Sequence, residues 1–384
     1  MQDLFTRSVS NVLPMKEALV KLSTEKKLRV YLGIDPTATR IHLGHAVALR
    51  KIAQFAKEGH HVTFLIGDFT ALIGDTSDKE SERPILTQEE IKENFKTYKE
   101  QAEKILDFSK ITVRHNSEWL SKLTFADIVK LTQHFAVGDF VGRELIKKRL
   151  ETGKKVGLHE TLYPVMQGYD SYFLETDVQV GGADQTFNML AGRTLIKEID
   201  KRESYVLTVG YLEGTDGRKM SKTWGNAIWL TDTPDDMYGK VMSLKDELMP
   251  SYFEHATNMD SQTLLQMKKR IEDGEHPMEL KHILAKQIVT ELHSRELAEE
   301  AQENWQKTFQ EKKPEFTEVM KVTSGETLAS LVGQRVGSVS QAKRLLADNA
   351  IHVNGETVTD GKQNVAEGDK IQIGKKIFIT VTLV

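Results

Sequence analysis

Tyr31-Leu32-Gly33-Ile34-Asp35-Pro36-Thr37-Ala38, followed shortly by His42-Leu43-Gly44-His45, is the stretch that decides the fold of this chain. An apolar run breaks at an Asp-Pro turn just ahead of a helix, and in parallel sheets nucleotide sites form at that place, beyond the carboxyl end of a strand. A helix beginning near His42 offers its N-terminal dipole to phosphate. Residues 30–34 and 62–66 read as short buried strands, with helical periodicity over 42–57 between them and Gly59 as its stop. The segment is therefore a βαβ unit.

Working outward, further strands are expected near 111–113, 177–180 and 206–209. The fold class is α/β, a doubly wound parallel sheet with helices on both faces. Residues 87–108 read as a charged amphipathic helix and 125–150 as helical again, so an insertion of about 85–155 divides a first domain spanning 1–232. Residues 233–310 have the apolar spacing of a helical domain, and 311–323, with Pro314, read as a linker. Residues 324–384 form a small αβ module, with short helices at 328–332 and 340–349. Strands are expected at 351–355 and 370–382, with a tight turn at Val353-Asn354-Gly355.

The chain has 384 residues, 39% of them hydrophobic, which suffices for two or three domains with a sizeable core. It has no cysteine, which excludes disulfides, thiolate zinc sites and cysteine nucleophiles and is compatible with a reducing cytoplasm. No signal peptide or membrane span is expected, since the most apolar stretch, 62–74, is interrupted by Asp68. A net charge of −4 does not suggest a generic polyanion binder, so any RNA contact must come from a local patch. Arg143, Lys147, Lys148, Arg149, Lys154 and Lys155 form one candidate, either an RNA contact or a solvated helix face.

Two motifs carry the chemistry. His42 and His45, three residues apart at a helix start, can face the same phosphates. Lys219-Met220-Ser221-Lys222-Thr223 follows Gly214-Thr215-Asp216-Gly217, whose glycines permit a loop that closes over pyrophosphate. The chain lacks Gly-x-x-x-x-Gly-Lys-Ser/Thr, so these two motifs bind ATP without a P-loop.

The order of these motifs resembles the Rossmann-like catalytic core of class I aminoacyl-tRNA synthetases, and the chain is most similar to the tyrosine-specific family. That likeness runs through Gln167-Gly168-Tyr169-Asp170 and Gly181-Gly182-Ala183-Asp184-Gln185. The tail, by Ser340-Gln341-Ala342-Lys343-Arg344-Leu345, is similar to a small RNA-binding module of ribosomal proteins and pseudouridine synthases. With seven Lys and Arg against six Asp and Glu in 325–384, this likeness argues for RNA better than charge does.

The resemblance implies a tyrosine–tRNA ligase that uses ATP with magnesium as substrate, with no tightly bound cofactor and no metal site of its own. Catalytic roles fall to His42, His45, Lys219, Lys222 and Thr37. Tyrosine would be held by Tyr31, Asp75, Tyr163, Gln167, Asp170 and Gln185, with Tyr31 and Asp170 on the phenol. ATP would meet Gly33, Asp35, His42, His45, Gly182, Asp184, Lys219 and Lys222. RNA would meet Arg143, Lys147, Lys148, Arg149, Lys343 and Arg344. The partners implied are tRNA(Tyr), L-tyrosine and ATP, in a cytoplasmic homodimer joined through the inserted helices. Leu43, Thr223, Thr76 and Asp78 depart from the family pattern, and Asp78 leaves the role of Lys79 open. The alternatives are a tryptophan-specific synthetase, an inactive RNA-binding paralogue, and another ATP-dependent ligase of related fold.

Overall fold

The computed structural model describes residues 2–36, 40–75, 87–221, 224–309, 316, 318–323, 325–374 and 377–384. The chain divides into two compact units, Met1–Glu299 and Glu300–Val384.

The first unit is built on a six-stranded sheet of order β1-β6-β5-β2-β3-β4. Its strands are β1 (Val9–Leu13), β2 (Arg29–Ile34), β3 (His61–Ile66), β4 (Ile111–His115), β5 (Val178–Gly181) and β6 (Tyr205–Val209). β2 to β6 run parallel as expected; the apolar runs of β2, β3, β5 and β6 are largely buried, the usual condition of a parallel sheet, whereas β4 at the edge buries only Ile111. β1 departs from the all-parallel reading, because it pairs antiparallel with β6 along the sheet edge. With Ser10 and Asn11 both exposed and Val12 alone buried, it shows neither the alternation nor the apolar run that marks a strand. Strand order reverses between β5 and β2, leaving a crevice beyond their carboxyl ends.

The Leu43–Lys57 helix connects β2 to β3 and buries Leu43, Ala46, Val47, Leu49, Ile52 and Phe55. Within the insertion, the Gln88–Ala102 helix is started by a Thr87/Glu90 capping box. The expected single helix over 125–150 is three helices, Phe125–Thr132, Val137–Val141 and Glu144–Glu151. Ala136 and Arg143 are extended there (ψ 135° and 133°), and Arg143 instead lays its guanidinium over the Phe187 ring at 4.7 Å. The Leu158–Phe173 helix returns the chain to the sheet, and helices Pro234–Met242, Met249–Ala256, Ser261–Glu272 and Pro277–Leu292 follow β6.

The second unit has a five-stranded sheet of order β7-β11-β10-β8-β9, packed with helices Leu328–Val336 and Val339–Ala347 around a core that includes Leu328, Leu331, Leu346, Ile351, Ile371 and Ile379. Its strands are β7 (Glu318–Val322), β8 (Ile351–Val353), β9 (Glu356–Thr357), β10 (Lys370–Ile373) and β11 (Ile377–Leu383). β7 lies inside the expected linker and pairs parallel with β11, so that stretch is structured over 318–322. Asn354 and Gly355 both have positive φ (51° and 90°) in the two-residue turn joining β8 to β9, where Asn-Gly is favoured.

Candidate active site

The crevice holds a cavity of about 620 Å3, within the usual range for a small-molecule site. Its wall brings together Tyr31, Gly33, Asp35, His42, His45, Asp75, Tyr163, Gln167, Asp170, Gly182, Asp184, Gln185 and Lys219, all expected from the sequence. Thr37 and Lys222, with Thr76, Asp78, Lys79 and Thr223, lie outside the described residues.

At one end lies a closed polar pocket. Tyr163, Gln167 and Asp170 come from the Leu158–Phe173 helix, where spacings of four and three place them on one face. The Asp170 carboxylate is 3% exposed and accepts from Trp119 Nε1 at 2.7 Å and Asn116 Nδ2 at 3.1 Å. Burial pushes its pKa up to about 8 against those two hydrogen bonds, which pull it down. Tyr31, from β2, donates to Gln179 Oε1 at 3.3 Å and to the Gln167 carbonyl at 3.5 Å. Its pKa is raised well above the ordinary value, by burial first and then by Asp170.

A second set of bonds leads from this pocket to the strand ends. Asn116 Nδ2 donates to Thr70 Oγ1 at 3.0 Å, Thr70 to Asp35 Oδ1 at 2.7 Å, and Tyr163 to Asp35 Oδ2 at 2.8 Å. The Asp75 carboxylate, 7% exposed, accepts from Gln185 Nε2 at 2.8 Å and Asn188 Nδ2 at 3.4 Å.

The opposite end is basic. His42 caps the Leu43–Lys57 helix, with its Nδ1 accepting from His45 N at 3.4 Å, and the two imidazoles stack at 3.7 Å between centroids. Gly44 allows this, since a Cβ there would lie 3.0 Å from the His42 ring. Burial, then His45 and Lys219, holds the His42 pKa down at about 3, so the ring is neutral at pH 7. Because Nδ1 serves as the cap acceptor, the proton sits on Nε2 and is available as a donor. Among the described residues no group of three or more His, Cys, Asp or Glu side chains is placed to hold a metal ion.

The reading of the basic patch is corrected at Arg149. It is 2% exposed, bonded through both Nη atoms to the Glu160 carboxylate (2.6 and 3.0 Å) and through Nη2 to the Lys155 carbonyl. A guanidinium so held cannot offer itself to phosphate, and Arg143 is half-buried against Phe187. Lys147, Lys148, Lys154, Lys155, Lys343 and Arg344 are exposed.

The sequence reading missed Asn116, Trp119, Thr70, Gln179 and Asn188. Asn116 and Trp119 follow the carboxyl end of β4, so a search of every strand end for polar side chains would have found them.

Residues 23–310 match the family model described as tRNA synthetases class I (W and Y), and 332–371 match the S4 domain. Fold and cavity together define a class I aminoacyl-tRNA synthetase core. A tyrosine–tRNA ligase of Carboxydothermus hydrogenoformans is 42% identical over 99% of this chain and 97% of its own length. One from Haemophilus influenzae is 41% identical over 98% and 95%. The chain belongs to the tyrosine–tRNA ligase family. The fold is shared with a C-terminally truncated mitochondrial tyrosyl-tRNA synthetase of Aspergillus nidulans (TM-score 0.69, 23% identity, 80% of this chain and 92% of that one). It is also shared with a tyrosyl-tRNA synthetase from Archaeoglobus fulgidus complexed with L-tyrosine (0.62, 23%, 78% and 98%).

Proposed function

We infer that this chain activates L-tyrosine with ATP and transfers it to the 3′-terminal adenosine of tRNA(Tyr). The observation that carries the reading is one cavity with a buried hydroxyl and carboxyl group, Tyr31 and Asp170, at one end and His42, His45 and Lys219 at the other.

In the first step the tyrosine carboxylate attacks the α-phosphorus of ATP, the bond to the β-phosphate breaks, and pyrophosphate leaves. No covalent enzyme intermediate is needed, so the protein positions two anions and stabilises charge gathering on phosphate oxygens. His42 Nε2–H and the Lys219 ammonium are suited to that charge, and Lys222 is assigned the same task by its place in the motif. Asp184 has the carboxylate for ribose hydroxyls, and Asp75 with Tyr163 and Gln167 suits the α-ammonium. At the phenol end, phenylalanine would forgo the hydrogen bond that a phenol makes with the buried Tyr31 and Asp170 groups, which is the basis of rejection. Magnesium arrives with ATP as part of the substrate. In the second step a ribose hydroxyl of the tRNA attacks the adenylate carbonyl carbon and AMP leaves.

The S4 module, through Lys343 and Arg344, and the exposed lysines 147, 148, 154 and 155 are proposed to meet tRNA. Phe125 and Val137 are 85% and 76% exposed, which supports a homodimer formed by the inserted helices. A concentration-independent monomer in analytical ultracentrifugation would remove that part. The reading is a cytoplasmic one, since its substrates are ATP and tRNA.

The test is amino-acid-dependent exchange of pyrophosphate into ATP, with tyrosine, phenylalanine and tryptophan supplied separately. Exchange with tyrosine alone is expected. Exchange with tryptophan would transfer the activity to the sister specificity, and no exchange by the folded, RNA-binding protein would make it an inactive paralogue.

A further inference from the structure

Beside the lysine motif stands an aromatic side chain that the reaction described above does not use. Trp224 is 50% exposed, and the Arg218 guanidinium covers its ring at 4.6 Å. The pair is rigidly mounted. Arg218 donates through Nε and Nη2 to Asp216 Oδ2 at 2.8 and 2.5 Å, and Asp216 Oδ1 accepts from Asn226 Nδ2 at 2.8 Å. Asn226 is 3% exposed and also accepts from Ser221 N at 2.9 Å and donates to the Lys219 carbonyl at 3.1 Å. One buried amide thus fixes both the Arg218–Trp224 pair and the backbone of the loop that supplies Lys219 to the cavity.

Trp224 is not part of the cavity wall, which in this region consists of Tyr211, Leu212, Lys219 and Met220. The pair therefore stands outside the ATP space. Beside it Lys219 adjoins Arg218 in sequence, and Lys245 Nζ would lie 3.5 Å from a Cβ placed on Gly217, while Asp216 pairs with Arg218 and Glu247 lies 3.7 Å from Lys245. Tyr211, on the cavity rim, is 58% exposed. Stacked aromatic and guanidinium faces with lysines nearby fit single-stranded RNA, whose unstacked bases lie on such faces while the phosphates meet Lys and Arg.

We propose that Arg218 and Trp224 form a stacking platform for an unpaired base at the 3′ end of the tRNA, steering its terminal ribose to the cavity mouth. The platform rests on the synthetase reading and acts only in the transfer step. It adds a contact that adenylate formation does not require.

Trp224→Ala and Trp224→Phe are compared by two assays, tyrosine-dependent pyrophosphate exchange and single-turnover transfer from preformed enzyme-bound adenylate to tRNA(Tyr). Loss of one base stack is worth about tenfold in transfer efficiency. Trp224→Ala should lose that amount with exchange within about twofold of the parent, and Trp224→Phe should recover most of it, since both rings present a π-face. A thermal melt verifies that both variants are folded. Unchanged transfer in Trp224→Ala would overturn the proposal. So would a parallel fall in exchange, which would assign the ring to ATP or to loop closure. An unsubstituted protein without exchange would instead sink the synthetase reading itself.

Discussion

Trp119 Nε1 donates a 2.7 Å hydrogen bond to Asp170 Oδ1 on the floor of the cavity, and Asn116 holds the other carboxylate oxygen. Both donors favour the ionised form, yet burial dominates and the pKa stands at about 8. A raised carboxyl pKa stabilises the fold at low pH. That contribution is present below the usual value of 3.8 and is lost as pH rises through about 8. On the proposed role of Asp170, tyrosine binding runs the other way, because the phenol would donate to an ionised acceptor. Tyrosine affinity should therefore rise about tenfold per pH unit between pH 6 and 7.5 and flatten above 8. Equilibrium dialysis over this range measures it, and Asp170→Asn should abolish the slope. A flat profile in the unsubstituted protein would refute the assignment of Asp170 as acceptor.

His42 serves two ends that separate by substitution. Its Nδ1 caps the Leu43–Lys57 helix and its Nε2–H is proposed to meet the phosphates of ATP. Asparagine is a good cap and alanine is not, so His42→Ala should lose about 1 kcal/mol of stability while His42→Asn loses little. In a unit of this size that is a fall in Tm of about 1–2 °C. Both should slow activation ten- to hundredfold, corresponding to about 1.5–3 kcal/mol for a contact to a charged group. With its pKa at about 3, His42 should produce no inflection in the activation rate between pH 6 and 9. Thermal melts beside exchange rates decide it; equal stability of the two variants would remove the capping role.

Gly67 buttresses the strand-end network. A Cβ at this position would lie 2.0 Å from Asp35 Oδ1 and 2.4 Å from Thr70 Oγ1, distances no side-chain contact tolerates. Gly67→Ala should displace Asp35 and with it the Tyr163 hydroxyl, lowering exchange by about tenfold or more, as expected when one charge-assisted bond is lost. Thr70→Val removes the Thr70 bond without the clash and should fall between Gly67→Ala and the parent. Parental exchange rates in Gly67→Ala would show that the network does not position the substrate.

The sheet and the two-ended site were legible because each rests on local signals: apolar runs ending at Asp35-Pro36, two histidines around Gly44, and three polar residues at helical spacing in 163–170. What escaped the sequence depends on the fold. Asn116 and Trp119 reach Asp170 across more than fifty residues of chain, and no spacing rule pairs them. β1 and β7 are short strands whose partners, β6 and β11, are remote. The stretch 125–150 reads as one helix because its periodicity survives the breaks at Ala136 and Arg143.

Arg149 is the clearest instance of a residue whose type suggests one role and whose surroundings impose another. Its side chain and that of Glu160 are 3% and 1% exposed, and Glu160 also accepts from Gly157 N at 2.7 Å. Removing one member of such a pair leaves a buried charge, at a cost of about 3–5 kcal/mol, whereas replacing both by apolar groups of similar volume costs far less. Arg149→Met should therefore lower stability in urea by about 3–5 kcal/mol, and Arg149→Met with Glu160→Leu should recover much of it. Neither should alter the salt dependence of tRNA binding, because a buried guanidinium releases no counterion. Lys148→Ala, at an exposed position, should leave stability within about 0.5 kcal/mol and reduce the salt slope by about one unit if the helix meets phosphate. An Arg149→Met variant of parental stability with weakened tRNA binding would return Arg149 to the RNA surface and undo the structural role assigned to the pair.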